Sequence, residues 1–139
     1  MLQIEQDFLH AIQRKDNRFV SLCLDKGLTA NIRDENGSTA LEHALWYKND
    51  EALALLATHP KTTQKTLGLT LDLLEALRFS DKNLIAAKEY EEKTSFLNKI
   101  IDALFLSNGT RIYLNAAKTA GRYCFIQKLL YQEYQNQHH

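Results

Sequence analysis

The feature that most constrains this chain is an internal repeat, because residues 6–38 align with residues 39–71 at a spacing of 33. Small and apolar positions recur in the two copies, whereas polar positions drift. The recurring pairs are Phe8 and Leu41, Ala11 and Ala44, Ile12 and Leu45, Asp16 and Asn49, Val20 and Leu53, Leu22 and Leu55, and Cys23 and Leu56. Such a pattern is typical of a supersecondary unit that buries its apolar face against copies of itself. The repeat therefore predicts stacked units, and it leaves the ligand undefined.

The junction between the two copies contains residues with defined conformational roles. Gly27 follows an apolar stretch, where glycine can end a helix because it adopts positive φ without a Cβ clash. Asp34 and Gly37 favour a turn, since an Asp side chain bonds nearby backbone and glycine tolerates the left-handed region. Thr39 stands where an N-cap hydroxyl would accept a backbone N–H, and Glu42 follows three residues later, as in a capping box. We predict that a helix starts at Thr39.

These junction residues resemble the boundary between two ankyrin repeats. The resemblance consists of a closing glycine, an Asp-x-x-Gly-x-Thr turn and a Leu-x-x-Ala helix start, present here as Gly27, Asp34, Gly37, Thr39, Leu41 and Ala44. The chain departs from the family pattern at Ala40, Glu42, Lys48 and the Pro60-Lys61-Thr62 segment. It resembles the family over residues 6–60 and becomes degenerate beyond them. The resemblance implies an all-α solenoid of helical hairpins that binds another protein through its concave surface.

Residues beyond the second copy keep a helical spacing of apolar side chains. A third, eroded helix pair is predicted over residues 71–93, followed by a helical stripe from Phe96 to Phe105 that ends near Asn108 and Gly109. Two short helices separated by a tight turn at Gly121 are predicted after that. At 139 residues, the chain has the size of one domain. We predict an all-α domain of about four helix pairs, with repeats at 6–38, 39–70 and 71–93 and a divergent cap at 94–139.

The charge balance argues against several classes of partner. The chain has 17 Lys and Arg residues and 17 Asp and Glu residues, so no global field favours nucleic acid, an anionic membrane or an acidic partner. Residues 107–139 interleave four basic residues with four tyrosines, as some nucleic-acid surfaces do. Four charges over two helices are too few to predict such a surface. We expect no nucleic-acid or membrane binding.

The N-terminal residues contain no cationic start followed by an apolar run, and no segment has the length and hydropathy of a spanning helix. We expect a cytoplasmic protein, with delivery into a host cell left open. Cys23 and Cys124 lie far apart in apolar helical contexts. That placement predicts buried free thiols instead of a disulfide framework.

No catalytic motif emerges from the sequence. The chain has no His-Glu-x-x-His, no Cys-x-x-Cys and no glycine-rich phosphate loop, and Gly37-Ser38-Thr39 lacks the lysine of a P-loop. We predict a protein that is not an enzyme and needs no metal or cofactor. Two alternatives stay open: an enzymatic or toxin-like activity in the divergent C-terminal half, and self-association through an uncapped repeat end, although a monomer is expected.

The candidate binding surface follows from the positions that the repeat leaves free. If Ala44 and Leu45 face neighbouring helices, the residues beside them project from the other side of the same helix, and aromatic and Arg side chains there would supply binding energy. The predicted partner-binding residues are His10, Gln13, Arg14, His43, Trp46, Tyr47, Arg78 and Phe79, with Arg33, Glu35 and Asn36 at the hairpin tip. The alternatives are that C-terminal helices bury Trp46 in the core and that the tip is a plain solvated turn.

Overall fold

The computed structural model describes residues 1–93 and 108–136, and this part of the chain is all-α. The helices are α1 (Gln3–Arg14), α2 (Asn17–Asp25), α3 (Ala40–Trp46), α4 (Asp50–Ala57), α5 (Gln64–Ser80), α6 (Lys82–Lys93) and α7 (Asn108–Asn136). An isolated antiparallel bridge joins Arg33 to Thr39 in the connection between α2 and α3. The predicted helical class is confirmed. The stripe predicted between Phe96 and Phe105 lies outside the described residues.

The chain divides into two compact units. The first contains Met1–Leu73 together with the C-terminal part of the chain from Lys128, and the second lies within Leu74–Gln127. Helix α5 runs without interruption through the repeat boundary predicted between residues 70 and 71. The single domain expected from chain length remains a prediction.

In the first unit, two helix pairs pack on each other. Helix α1 contacts α2 and α3, and α4 contacts α3 and α2. Side chains 33 residues apart share the same environment: the pairs Phe8 and Leu41, Ala11 and Ala44, Ile12 and Leu45, Val20 and Leu53, and Cys23 and Leu56 are all buried, whereas Leu22 and Leu55 are both exposed. Each fully buried large side chain contributes about 1.5 to 3 kcal/mol. The sequence repeat is thus a repeat of packing positions.

The backbone repeats with the same spacing. Lys15 (φ 64°) and Lys48 (φ 57°) are both left-handed and lie between the two helices of their respective pairs. The next residue caps the second helix in each pair: Asp16 accepts the backbone N–H of Phe19, and Asn49 accepts that of Ala52. A left-handed lysine costs about 1 to 2 kcal/mol, which the packing of the helix pair must offset. Glycine would adopt this conformation without that strain.

The predicted turn and capping residues are confirmed. Gly27 (φ 101°) and Gly37 (φ 86°) both have positive φ. The Thr39 backbone N–H donates to Glu42 Oε1 (3.1 Å), and the Glu42 backbone N–H donates to the Thr39 hydroxyl (3.2 Å). The reciprocal bonds satisfy two N–H groups that an uncapped helix would leave open. Helix α3 accordingly begins at the next residue, Ala40.

Asn49 ties the two helix pairs together. Its side chain is only 2% exposed, and its amide donates to the Ile12 carbonyl (2.9 Å) and to Asn17 Oδ1 (2.8 Å). Its Oδ1 accepts the Ala52 N–H (3.1 Å). One buried side chain therefore caps α4 and bonds the end of α1 as well as the start of α2.

Two expectations about the C-terminal region are wrong, namely the tight turn at Gly121 and the burial of Cys124. Helix α7 continues through Gly121 without the predicted turn. A single glycine destabilises a helix by only about 1 kcal/mol, and the residues around Gly121 are compatible with helix. Helix α7 also begins at Asn108, so Asn108 and Gly109 lie in its first turn. Cys23 is buried as predicted, but Cys124 is exposed. Cys124 follows the buried Tyr123, and successive helical residues point about 100° apart.

Asp16 and Asn49 cap the second helix of their pairs at equivalent positions. Because Asn49 makes additional hydrogen bonds, we predict that alanine lowers the unfolding free energy more at Asn49 than at Asp16. Replacing Asp16 by Ala removes one exposed cap and should cost about 1 kcal/mol of unfolding free energy. Asn49→Ala also removes the buried bonds to Ile12 and Asn17, and should cost about 2 to 3 kcal/mol. Urea denaturation of the two variants measures the difference. Equal losses of unfolding free energy would show that the hydrogen bonds between the helix pairs do not stabilise the fold.

Candidate functional site

Helix α3 places a short aromatic segment at the surface. The helix buries Leu41, Ala44 and Leu45 against its neighbours, so the residues on its other side face outward. Trp46 is 59% exposed, and the His43 ring stacks on the Tyr47 ring with 5.9 Å between centroids. The alternative in which Trp46 is part of the core is therefore wrong. Trp46 thus lies at the surface, whereas the side chain of His43 is only 17% exposed.

Asp34 fixes this aromatic segment to the hairpin that precedes it. Asp34 Oδ1 accepts the backbone N–H groups of Asn36 (2.8 Å) and Ser38 (2.9 Å). Asp34 Oδ2 lies 2.8 Å from His43 Nε2. Both carboxylate oxygens are thus used, one to shape the hairpin turn and the other to hold the His43 ring on α3.

The environment of Asp34 changes the pKa of its carboxyl group. Burial disfavours the charged form, but the hydrogen bonds from Ser38, His43 and Asn36, together with the charge interaction with His43, outweigh burial. The net effect is a pKa below the ordinary value of 3.8. Asp34 is therefore a carboxylate at neutral pH.

Two neighbouring depressions lie on either side of the Asp34–His43 contact. We call the first, of about 280 Å³, the α3 pocket; it is lined by Asp34, Ser38, Glu42, His43, Trp46, Tyr47 and Leu73. We call the second, of about 360 Å³, the α1 pocket; it is lined by Met1, Gln6, Leu9, His10, Gln13, Asp34, Glu35, Asn36 and His43. Together they form what we call the groove, which lies entirely in the first unit. The shared Asp34 and His43 separate its two halves.

The structure brings most of the predicted binding residues together. The groove contains His10, Gln13, Glu35, Asn36, His43, Trp46 and Tyr47. Arg14 and Arg33 are exposed but do not line it, and Arg33 donates to the Gly37 carbonyl within the hairpin (3.2 Å). Arg78 and Phe79 are exposed on the part of α5 that belongs to the second unit.

Several lining residues were not predicted. The sequence rules give Asp34 and Glu42 only turn and capping roles, and they place neither Ser38 nor Leu73 on the binding surface. A usable signal exists for the first two, since Asp34 lies in the turn before α3 and Glu42 lies in the first turn of that helix, so both lie near its N-terminal end. Leu73 is far away in sequence, and no local pattern indicates its position.

The part of the chain that the structure describes also contains titratable side chains outside the groove. No group of three His, Cys, Asp or Glu side chains there could hold a metal ion. Burial raises the pKa of the Cys23 thiol above 9.0, with nearby Lys26 opposing the rise and Asp7 adding to it; a thiol of this kind is a weak nucleophile at neutral pH. Within residues 1–93 and 108–136, no helix is both long and apolar enough to cross a bilayer.

In the second unit, a buried tyrosine joins two helices. The Tyr123 hydroxyl donates to Asp81 Oδ2 (3.0 Å), and Asn83 donates to the Thr119 hydroxyl (3.3 Å). Burial and the Asp81 carboxylate raise the pKa of Tyr123 above 10.0. Arg122 lies 5.9 Å from the Tyr123 ring centroid. This member of the predicted basic and tyrosine-rich set thus packs inside its unit.

Known proteins offer no match to this chain. No family model matches it, and neither a curated protein nor a solved structure does. The function is therefore inferred from the groove and from the repeated geometry of the first unit.

Because Trp46 is exposed, we predict that replacing it has only a small effect on stability. Trp46→Ala should lower the unfolding free energy by less than about 1 kcal/mol, as surface substitutions usually do. Its neighbour Leu45 is 1% exposed, and Leu45→Ala in the same helix should cost about 2 to 5 kcal/mol. Urea denaturation compares the two variants. Losses of similar size would mean that Trp46 packs in the core.

The lowered pKa of Asp34 predicts a pH-dependent contribution to stability. Because the folded state binds the Asp34 proton more weakly than the unfolded state does, the charged carboxylate stabilises the fold above the ordinary pKa of 3.8. This contribution is lost as the pH falls through the folded pKa. We expect wild type to exceed Asp34→Asn in unfolding free energy above about pH 5, with the difference shrinking toward about pH 3. Denaturant titrations across that range test the expectation, and a constant difference would contradict it.

Proposed function

We propose that this chain is a non-catalytic, ankyrin-like interaction module that binds a partner protein in the groove of its first unit. The observation that carries the proposal is the exposed Trp46 in the α3 pocket, beside stacked rings of His43 and Tyr47. Aromatic side chains of this kind supply much of the energy of protein interfaces, because they bury a large area and keep a polar group.

The repeated geometry of the first unit supports the ankyrin-like part of the proposal. Each helix pair of the first unit has two short helices, a left-handed residue between them and a capped second helix. A hairpin closed by the Arg33 and Thr39 bridge joins the pairs. We propose that the same helix-pair arrangement continues as a solenoid of about four helix pairs, in which α5 and α6 form a divergent third pair.

Rigidity supports the binding part of the proposal. The hairpin is fixed to α3 through Asp34 and His43, and Asn31 joins the following loops, with its amide donating to the Lys61 carbonyl (2.8 Å) and its Oδ1 accepting the Thr63 N–H (3.0 Å). A surface held in place before binding loses little conformational entropy on docking. The groove can therefore bind a partner segment without first being ordered.

A capture experiment tests the proposal with a matched surface control. Wild type, Trp46→Ala and Leu22→Ala are each immobilised and incubated with lysate; Leu22 is also exposed but lies on α2, outside the groove. We expect proteins captured by wild type and Leu22→Ala to be lost from Trp46→Ala. Trp46 is the only tryptophan, so its fluorescence should also change when a captured protein is added back. Capture that is indifferent to Trp46 would refute the groove as the binding site.

A further inference from the structure

The chemistry of the α3 pocket indicates which kind of partner side chain it accepts. We propose that it binds the cationic side chain of a basic partner segment, with the charged head near the Glu42 and Asp34 carboxylates and the aliphatic stem against Trp46. This inference rests on the proposed function and adds the chemical class of the partner.

Charge complementarity is the first support. Asp34 and Glu42 both line the pocket, and its described lining contains no Lys or Arg; the His43 ring, which also lines it, contacts the Asp34 carboxylate (2.8 Å) and leaves the Glu42 carboxylate for a ligand. The whole chain has no net charge, so the negative character is local to this depression. A carboxylate pair at the wall of a semi-enclosed pocket attracts a cation more strongly than the same charges on an open surface.

The bonding of Glu42 leaves one carboxylate oxygen for a ligand. Glu42 Oε1 is held by the Thr39 N–H and by the Thr39 hydroxyl, each at 3.1 Å. Among the described residues, no donor bonds to Oε2. The capping box thus fixes the orientation of the Glu42 side chain, and the free oxygen can accept an N–H from a bound ammonium or guanidinium group.

The apolar part of the pocket suits the stem of such a side chain. Trp46, Tyr47 and Leu73 line it together with the carboxylates. Lysine and arginine pack their methylene stems on apolar surface while the charged head stays in polar surroundings, and an indole ring attracts a cation placed over its face. A volume of about 280 Å³ lies at the small end of ligand sites. It therefore fits one side chain of an extended segment better than a whole cofactor.

Trp46 fluorescence allows a direct binding test, because the chain has no other tryptophan. A short tryptophan-free peptide rich in lysine and a peptide of the same length with glutamate in place of lysine are each titrated into the full chain. We expect saturable fluorescence change with the lysine peptide, weaker binding at high salt, and no change with the glutamate peptide. Equal responses to both peptides, or none to the lysine peptide, would overturn the inference.

A pair of charge-neutralising variants locates the binding. Glu42→Gln removes the charge but keeps the capping bond to Thr39, since glutamine also serves in a capping box. Asp25→Asn makes the same change of net charge at an exposed position at the end of α2, outside the pocket. We expect Glu42→Gln to weaken lysine-peptide binding about three- to fivefold with an unchanged melting temperature, and Asp25→Asn to have no effect. Equal effects of the two variants would refute the inference.

The two proposals can fail separately. If Trp46-dependent capture of a partner from lysate persists while the lysine peptide does not bind, the interaction module stands and the cationic specificity is wrong. If capture is independent of Trp46 and the peptide does not bind, both are wrong.

Discussion

The constraint on which the first unit depends is that neither helix pair can bury its apolar face alone. Phe8 and Ile12 in α1, and Leu41 and Leu45 in α3, are all buried where the pairs meet. Because the same positions are used at a spacing of 33 residues, the exposed positions also recur with that spacing: His10 in one pocket is the repeat equivalent of His43 in both. The exposed helix faces that contribute these two histidines to the groove are therefore a consequence of the packing rule, and the hairpin between the pairs supplies further lining residues.

Polar groups give this packing its register. Apolar side chains of similar size would tolerate small shifts between helices, whereas the bonds of Asn49 to Ile12 and Asn17 require one alignment. The bonds of Asn31 to the loop at Lys61 and Thr63 impose the same alignment at the other end of the pairs. Such buried or part-buried amides cost stability if they are misplaced, so they select one arrangement of the stack.

The local part of this architecture could be predicted from sequence, but the tertiary part could not. Gly27, Gly37 and Thr39 determine the conformation of their own neighbours, so turn and capping rules suffice for them. The contact between Asp34 and His43 depends on where the hairpin folds relative to α3, and propensities do not encode that distance. The turn predicted at Gly121 is wrong because the weak local preference of glycine for a turn is overridden by the surrounding helix of 29 residues.

Exposure alone does not distinguish a binding residue, because single apolar side chains are common on protein surfaces. Leu22, Phe79 and Phe125 are exposed to an extent comparable with Trp46 or greater, yet none of them lines the groove. Trp46 differs in its surroundings: a hairpin fixed by hydrogen bonds and a carboxylate held by a helix cap stand beside it. Since a ligand is recognised by polar groups that need no rearrangement, it is the exposed indole together with these fixed polar groups, and not exposure alone, that makes the α3 pocket a candidate site.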